Sequence, residues 1–135
     1  MLGEARRVLK PGGIFIVIDA CTKNGRLTEN EMLVKRLVER GMGSADFPRE
    51  ADFALMIKNA EFKISKTIDL SEEVLPSSIK IQRTASFFFS FPAWLQSLFI
   101  KIFPPRFSYN SVSGYFRADT IEAGIFKYFG FILKK

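Results

Sequence analysis

The 135-residue sequence predicts an α/β protein in which helices flank a small sheet. A helical pattern leads through a Pro-Gly-Gly turn into five consecutive apolar residues, Ile14 to Ile18. Such an unbroken apolar run is typical of a strand that is covered on both faces. The stretch from Phe62 to Leu70 alternates between apolar and polar residues, and the stretch from Phe126 to Leu133 is again densely apolar. We expect these three stretches to form the strands of the sheet.

The first unit is a helix, a turn and a strand. Apolar residues recur at three- and four-residue spacing over residues 2–10, which predicts the end of an amphipathic helix. Pro11 cannot continue that helix, and the two glycines after it suit a tight reversal. Asp19 follows the apolar run directly. Because ligands of open α/β sheets bind at the carboxyl ends of strands, Asp19 is a candidate site residue.

Two helices are predicted between the first and second strands. Thr28 and Glu31 have the spacing of a capping box, which predicts a helix over about residues 29–41. A further helix is expected with Asp46 as its cap and Pro48 in its first turn. The polar face of the first helix is expected to carry Lys35, Arg36, Glu39 and Arg40.

The alternating stretch at 62–70 predicts a half-buried strand near the edge of the sheet. The chain closes with one or two helical turns from Asp119 to Gly124 and the dense apolar run at 126–133. A strand that is apolar on both faces is expected to have neighbours on both sides. We therefore divide the chain into αβ units (1–70), an intervening segment (71–117), and a final helix turn and strand (118–135).

The segment 71–117 is predicted to be a helical insertion or lid. The Pro76-Ser77-Ser78 run is suited to open a helix, whereas residues 106–117 are expected to form a polar-aromatic loop. Residues 87–103 are almost wholly apolar, but Pro92 and Lys101 argue against a membrane span.

A stripe at helical spacing lies within that apolar run. It fits three structures: a helix packed on the core, a lid over a lipophilic substrate, or an interfacial helix. Its members are Trp94, Leu95, Leu98, Phe99 and Ile102.

Composition and charge limit the function classes. The sequence has no histidine and only one cysteine, Cys21, which excludes an internal disulfide, a histidine-based catalytic pair and an ordinary transition-metal site. The formal charge of +6 favours anionic surfaces, either lipid headgroups or nucleic acid, but no RNA-binding signature is present, so we expect no nucleic-acid partner. The amino terminus lacks the apolar core of a signal peptide, so we expect a cytoplasmic location, with contact to a membrane surface as an option.

The run Arg7-Val8-Leu9-Lys10-Pro11-Gly12-Gly13 before an apolar strand resembles the late conserved segment of class I S-adenosylmethionine (SAM)-dependent methyltransferases of the small-molecule, methyltransferase type 11-like, kind. In that family the segment leads into the fifth strand. The resemblance covers residues 1–70 and 118–135. Glu61 stands where the family usually has a glycine before the sixth strand.

The resemblance implies a partial Rossmann-like sheet made of the family's last three strands. The final strand is expected to be antiparallel and to lie between the other two. The family's glycine-rich loop and ribose-binding acid belong to earlier strands, which this sequence does not contain. The chain therefore resembles the carboxyl-terminal half of one methyltransferase domain, as a fragment, a split gene product or a relic, and we expect it not to bind SAM alone.

The implied function is methyl transfer to a small, lipophilic acceptor by the complete domain, with SAM as cofactor. The alternative is a non-catalytic binding or assembly module derived from a methyltransferase. Candidate acceptor contacts are Asp19, Trp94, Tyr109 and Tyr115, each of which also fits ordinary packing. The expected partners are an amino-terminal half or a second copy, pairing with the open edge of the strand at residues 14–18.

Overall fold

The computed structural model describes residues 1–44 and 46–135, and this part of the chain forms six helices and three strands. In chain order the elements are α1 (Leu2–Val8), β1 (Ile14–Thr22), α2 (Glu29–Met42), α3 (Glu50–Asn59), β2 (Lys63–Asp69), α4 (Ser71–Phe89), α5 (Ala93–Ile102), α6 (Pro105–Glu122) and β3 (Phe126–Lys134).

The three strands form one sheet in the order β1-β3-β2. Strand β3 runs antiparallel to both neighbours, with Val17 and Thr67 opposite Phe131. The expected insertion of an antiparallel last strand is therefore confirmed. Within the described residues β1 has a strand on one side only, and its other edge carries a single parallel bridge, between Thr22 and Arg49.

The predicted end of the first strand at Asp19 is wrong. Strand β1 continues through Thr22, because Ala20, Cys21 and Thr22 pair with residues 126–128 of β3 and are buried. Asp19 lies inside the strand opposite Phe129, about 10 Å before its end at the usual strand rise.

Each face of the sheet has its own core. Helices α1 and α3 cover one face, where Val17, Phe53, Ile57 and Phe131 are buried together. The other face is covered only towards the carboxyl end of β1 by a second cluster, Ala20, Val38, Phe47 and Phe126. On this second face Ile14, Ile16 and Ile18 remain 61–64% exposed. The run was expected to form a strand covered on both faces, but the second face is covered only at its carboxyl end and leaves these three isoleucines exposed.

The turn that follows α3 contains Glu61 with a positive φ of 57°. This backbone conformation favours glycine, which is the residue that the resemblance leads one to expect there. An ion pair of 2.8 Å between Arg6 and the Glu61 carboxylate ties the turn to α1.

Helix α2 begins as predicted, but α3 does not. The Glu31 N–H donates to Thr28 Oγ1 at 3.3 Å, and the Thr28 N–H donates to Glu31 Oε2 at 2.8 Å, so the capping box is formed. Helix α3 starts at Glu50 with no side-chain cap. Asp46 instead forms an ion pair with Lys35.

The segment expected to form a loop at 106–117 belongs to helix α6. Pro105 occupies the first turn of this helix, where its missing N–H has no cost. The small residues Ser113 and Gly114 let α6 pack closely between α2 and α4. Helix α4 likewise begins earlier than predicted, at Ser71, and contains Pro76.

Helices α4 and α5 form a bent pair. No single helix of the described residues has the length and apolar composition needed to cross a membrane. Taken together α4 and α5 have that composition, but they are bent by 112° at their break, next to Pro92.

Candidate functional site

Asp19 is held by its own strand. Its Oδ1 accepts a hydrogen bond of 2.8 Å from the Ala20 N–H, and its side chain is half-buried. One of the two carboxylate oxygens of Asp19 therefore has a hydrogen-bond partner within the strand. Since Asp19 does not lie at the end of β1, the reason for choosing it as a site residue has gone.

The three aromatic candidates lie in different surroundings. Trp94 is 69% exposed at the start of α5. Tyr109 accepts a hydrogen bond of 3.0 Å from Arg40, whose guanidinium also lies 4.6 Å from the Tyr109 ring centroid. Tyr115 packs edge-on against Phe89 with ring centroids 5.4 Å apart. Tyr109 and Tyr115 line two separate recesses, and neither recess includes Asp19 or Trp94, so the role of the four candidates in binding an acceptor stays a prediction.

Tyr115 does line a small apolar recess. The recess has a volume of about 290 Å³ and lies between the end of α4 and the middle of α6. Its walls are Phe89, Val112, Tyr115 and Phe116. These side chains offer dispersion contacts and one phenolic hydroxyl, which suits a lipophilic group with a polar end.

A larger polar cleft lies where β1 ends. It has a volume of about 640 Å³ between the start of α2 and the start of α3. Thr22 shapes its floor, since the Thr22 N–H donates to Pro48 O and its hydroxyl donates to Phe47 O, both at 2.9 Å. Phe47 then packs edge-on against Phe126, 5.3 Å away between centroids.

A buried ion pair stabilises one wall of this cleft. Lys35 Nζ lies 2.7 Å from Glu39 Oε1, and the same oxygen accepts the Phe47 N–H at 2.7 Å. Burial alone would lower the pKa of Lys35, but hydrogen bonds to Asp46 and Glu39 outweigh it and raise that pKa. Lys35 is therefore charged at neutral pH, and its contribution to stability is lost only as pH rises past its raised pKa.

Glu39 corrects a sequence expectation. It was expected on the solvent-facing side of α2, but only 4% of it is exposed. The carboxylate tolerates burial because it is both ion-paired and hydrogen-bonded.

Three arginines line the cleft without an ion pair among the described residues, namely Arg26, Arg36 and Arg49. Guanidinium groups bind carboxylates and phosphates in a forked geometry. Asp52 also lines the cleft, but cations outnumber acids in its lining, so the cleft suits the anionic end of a small molecule. Sequence reasoning missed it because these arginines are far apart in sequence, and only the path of residues 46–49 brings them together.

Metal and thiol chemistry find no support at these sites. The described residues contain no cluster of three histidine, cysteine, aspartate or glutamate side chains that would hold a metal ion. Cys21 is fully buried, and burial, aided by the charges of Asp19 and Glu50, raises its pKa to about 12. A thiol in this state is a poor nucleophile.

That this chain does not bind SAM alone stays a prediction, supported by the loops that follow its strands. The loop after β1 holds a single glycine, Gly25, and β2 leads through Leu70 directly into α4. Within the described residues no strand is followed by a glycine-rich loop of the kind that cradles such a cofactor. We therefore derive no chemical step through SAM from this chain alone.

The architecture defines a class. The strand order β1-β3-β2 with its antiparallel last strand matches part of a Rossmann-like methyltransferase fold. Neither a protein-family model nor a curated protein matches the sequence. The assignment of the fold therefore depends on solved structures.

Solved methyltransferase-type enzymes match nearly the whole chain. The cyclopropane synthase MmaA2 from Mycobacterium tuberculosis has a TM-score of 0.72 at 12% identity, over 99% of this chain and 48% of that one. Geranyl diphosphate C-methyltransferase from Streptomyces coelicolor, solved with Mg²⁺, geranyl diphosphate and S-adenosyl-L-homocysteine, has a TM-score of 0.65 at 13% identity, over 98% and 40%. Mycolic acid cyclopropane synthase CmaA1, complexed with S-adenosylhomocysteine and CTAB, has a TM-score of 0.63 at 11% identity, over 99% and 48%.

These matches confirm the predicted fold. The chain spans less than half the length of these three structures. Identities this low establish the fold and leave the activity of this chain to be proposed.

Proposed function

We propose that this chain is the carboxyl-terminal half of a SAM-dependent methyltransferase, and that the complete domain transfers a methyl group to a small, lipophilic acceptor. SAM supplies the reactive methyl group in such a reaction. The chain's own residues would bind and orient the acceptor and keep water away from it. The isolated chain is expected to be inactive.

The observation that carries the proposal is the incomplete sheet. Ile14, Ile16 and Ile18 expose their side chains on a strand whose second edge, among the described residues, is bridged only at Thr22. An open edge with unguarded apolar side chains is prone to associate with another strand. The matching structures are about twice as long, so an amino-terminal half that adds a strand beside β1 is the partner we propose.

The polarity of the two pockets supports the acceptor class. The recess beside Tyr115 is apolar, whereas the cleft at the end of β1 carries Arg26, Arg36 and Arg49. A molecule with a hydrocarbon body or an anionic head would find matching chemistry in one or the other. The geranyl diphosphate bound by one matching structure combines both features.

A cytoplasmic location is part of the proposal. The single cysteine is a buried thiol, and a reducing compartment would keep that thiol reduced.

Reconstitution tests the proposal. The test pairs this chain with a methyltransferase-like amino-terminal half. That half and this chain, mixed, are expected to transfer label from methyl-labelled SAM to an isoprenoid or fatty-acyl acceptor, whereas neither does so alone. No methyl transfer by the mixture, together with a stable monomeric chain, would instead favour the non-catalytic module.

A further inference from the structure

The outward side of α5 is an exposed apolar stripe. Trp94, Leu98 and Ile102 follow one another at four-residue spacing and are all exposed. At 100° per residue Lys101 lies on the same side of the helix. No residue of α5 is fully buried, so this helix is mounted on the surface of the fold.

Aromatic packing holds α5 in place from beneath. Phe99 packs edge-on against Phe88 with centroids 5.9 Å apart and stacks on Phe103 at 5.8 Å. Phe107 of α6 completes the cluster, 5.2 Å from Phe88 and 4.8 Å from Phe103. The inner side of α5 is therefore anchored, and the outward stripe is left without a partner among the described residues.

The charged residues of α5 and of the first turn of α6, Lys101 and Arg106, are both basic. From Glu73 to Asp119 the sequence has no acidic side chain between the two, but it has five basic ones, Lys80, Arg83, Lys101, Arg106 and Arg117. This segment therefore holds most of the formal charge of +6. An apolar helix face that carries Lys101 at one end and an indole at the other has the chemistry of an interfacial membrane-binding helix.

We propose that the α5 stripe docks this protein on an anionic lipid bilayer. Trp94, Leu98 and Ile102 enter the headgroup boundary, while Lys101 and Arg106 contact lipid phosphates. The bend of 112° between α4 and α5 lets α5 lie along the membrane surface. A helix pair bent in this way does not suit a straight crossing of the bilayer. The inference does not depend on methyl transfer.

The test uses the full chain and its only tryptophan. Trp94 is the one tryptophan in the sequence, so its emission reports on α5 alone. Titration with vesicles of phosphatidylcholine mixed with phosphatidylglycerol is expected to shift this emission to the blue and to carry the protein up in flotation. Vesicles of phosphatidylcholine alone, or high salt, are expected to weaken the effect strongly. No shift and no flotation with anionic vesicles would overturn the proposal.

Two pairs of variants separate this stripe from general stickiness. Leu98→Ser/Ile102→Ser is expected to weaken vesicle binding about tenfold or more, because it removes the inserted hydrocarbon. Its control, Ile14→Ser/Ile16→Ser, removes equally exposed side chains from β1 and is expected to bind as the parent does. Lys101→Gln/Arg106→Gln is expected to reduce the preference for anionic vesicles, whereas Lys63→Gln/Lys66→Gln on β2 is expected to retain it. Equal loss of vesicle binding in the test and control variants would mean that the α5 stripe is not a dedicated lipid-binding surface.

A second copy of this chain is the competing occupant of the α5 stripe. A blue shift that grows with protein concentration in the absence of vesicles, and that Leu98→Ser/Ile102→Ser abolishes, would mean that a second copy covers the stripe and would overturn the lipid assignment. Flotation needs no methyl donor and no second half. Its outcome is therefore independent of whether the reconstituted domain transfers methyl groups.

Discussion

Gly41 of α2 lies in direct contact with Ser113 of α6. A methyl group added to Gly41 would overlap both the Ser113 Cβ and the Tyr109 carbonyl oxygen. The Ser113 hydroxyl donates to Val38 O at 3.1 Å, so the two helices are both packed and hydrogen-bonded here. This contact places the middle of α6 against α2, and the next residue of α6, Gly114, meets Ile81 of α4.

The first prediction concerns this crossing. Gly41→Ala is expected to lower the free energy of unfolding by about 2–3 kcal/mol, because backbone cannot move away as a flexible side chain would. Urea denaturation followed by circular dichroism measures this. Gly3→Ala is the control, since a methyl group there meets nothing within 4 Å, and it is expected to be neutral or slightly stabilising. Equal stability of the two variants would show that α2 and α6 are not in close contact.

The second prediction concerns the open edge of β1. Ile16→Lys is expected to reduce self-association of the isolated chain and leave the fold intact, since a lysine on an edge strand opposes pairing. Light scattering at a series of protein concentrations measures this. Val17→Asp is the contrast, because Val17 is buried opposite Phe131 and its replacement by a carboxylate is expected to unfold the chain. A parent chain that is already a stable monomer at high concentration would contradict the account of the edge.

The third prediction concerns the ion pair beside the polar cleft. Lys35→Met leaves the buried Glu39 carboxylate without its cation and is expected to cost about 3 kcal/mol of stability. Adding Glu39→Gln is expected to recover part of this loss, because an amide oxygen can still accept the Phe47 N–H without carrying a charge. Arg36→Met, on the same helix but exposed, is expected to change stability by less than about 0.5 kcal/mol. If Lys35→Met and Arg36→Met change the free energy of unfolding equally, the Lys35–Glu39 ion pair is not buried in solution.

The fourth prediction concerns Cys21. Because burial raises its pKa to about 12, the native thiol is expected to resist a disulfide reagent at pH 8 and to react only after unfolding. An unfolded chain ionises this thiol near pH 9, so the native state is expected to lose stability as pH rises from about 9 towards 12. Cys21→Ala lacks this titration, and its stability is expected to fall less over the same range. Rapid labelling of the native thiol would contradict the burial.

The strands were predictable because their signal is local. More consecutive apolar residues occur at 14–18 and at 126–133 than the face of a helix or a loop would carry. The order β1-β3-β2 follows from the resemblance of the Arg7–Gly13 run. Capping of α2 was equally local, since Thr28 and Glu31 satisfy each other.

Features that depend on distant contacts were not predictable in this way. Ser113 and Gly114 favour a loop by their own propensities, but the close approach of α2 and α4 makes a helix of them. Asp19 looked like the end of a strand because a charge follows an apolar run, whereas pairing with β3 carries the strand on to Thr22. The polar cleft depends on the path of residues 46–49, which no local sequence pattern predicts.

Titration calorimetry of the purified chain with SAM tests most directly the central claim, that this is half of a methyltransferase domain. The described residues contain three strands and no glycine-rich loop after any of them, so the chain alone is expected to give no binding heat. Adding the amino-terminal half is expected to restore saturable binding, and Ile16→Lys is expected to weaken that restoration. Micromolar binding of SAM by the chain alone would contradict the claim.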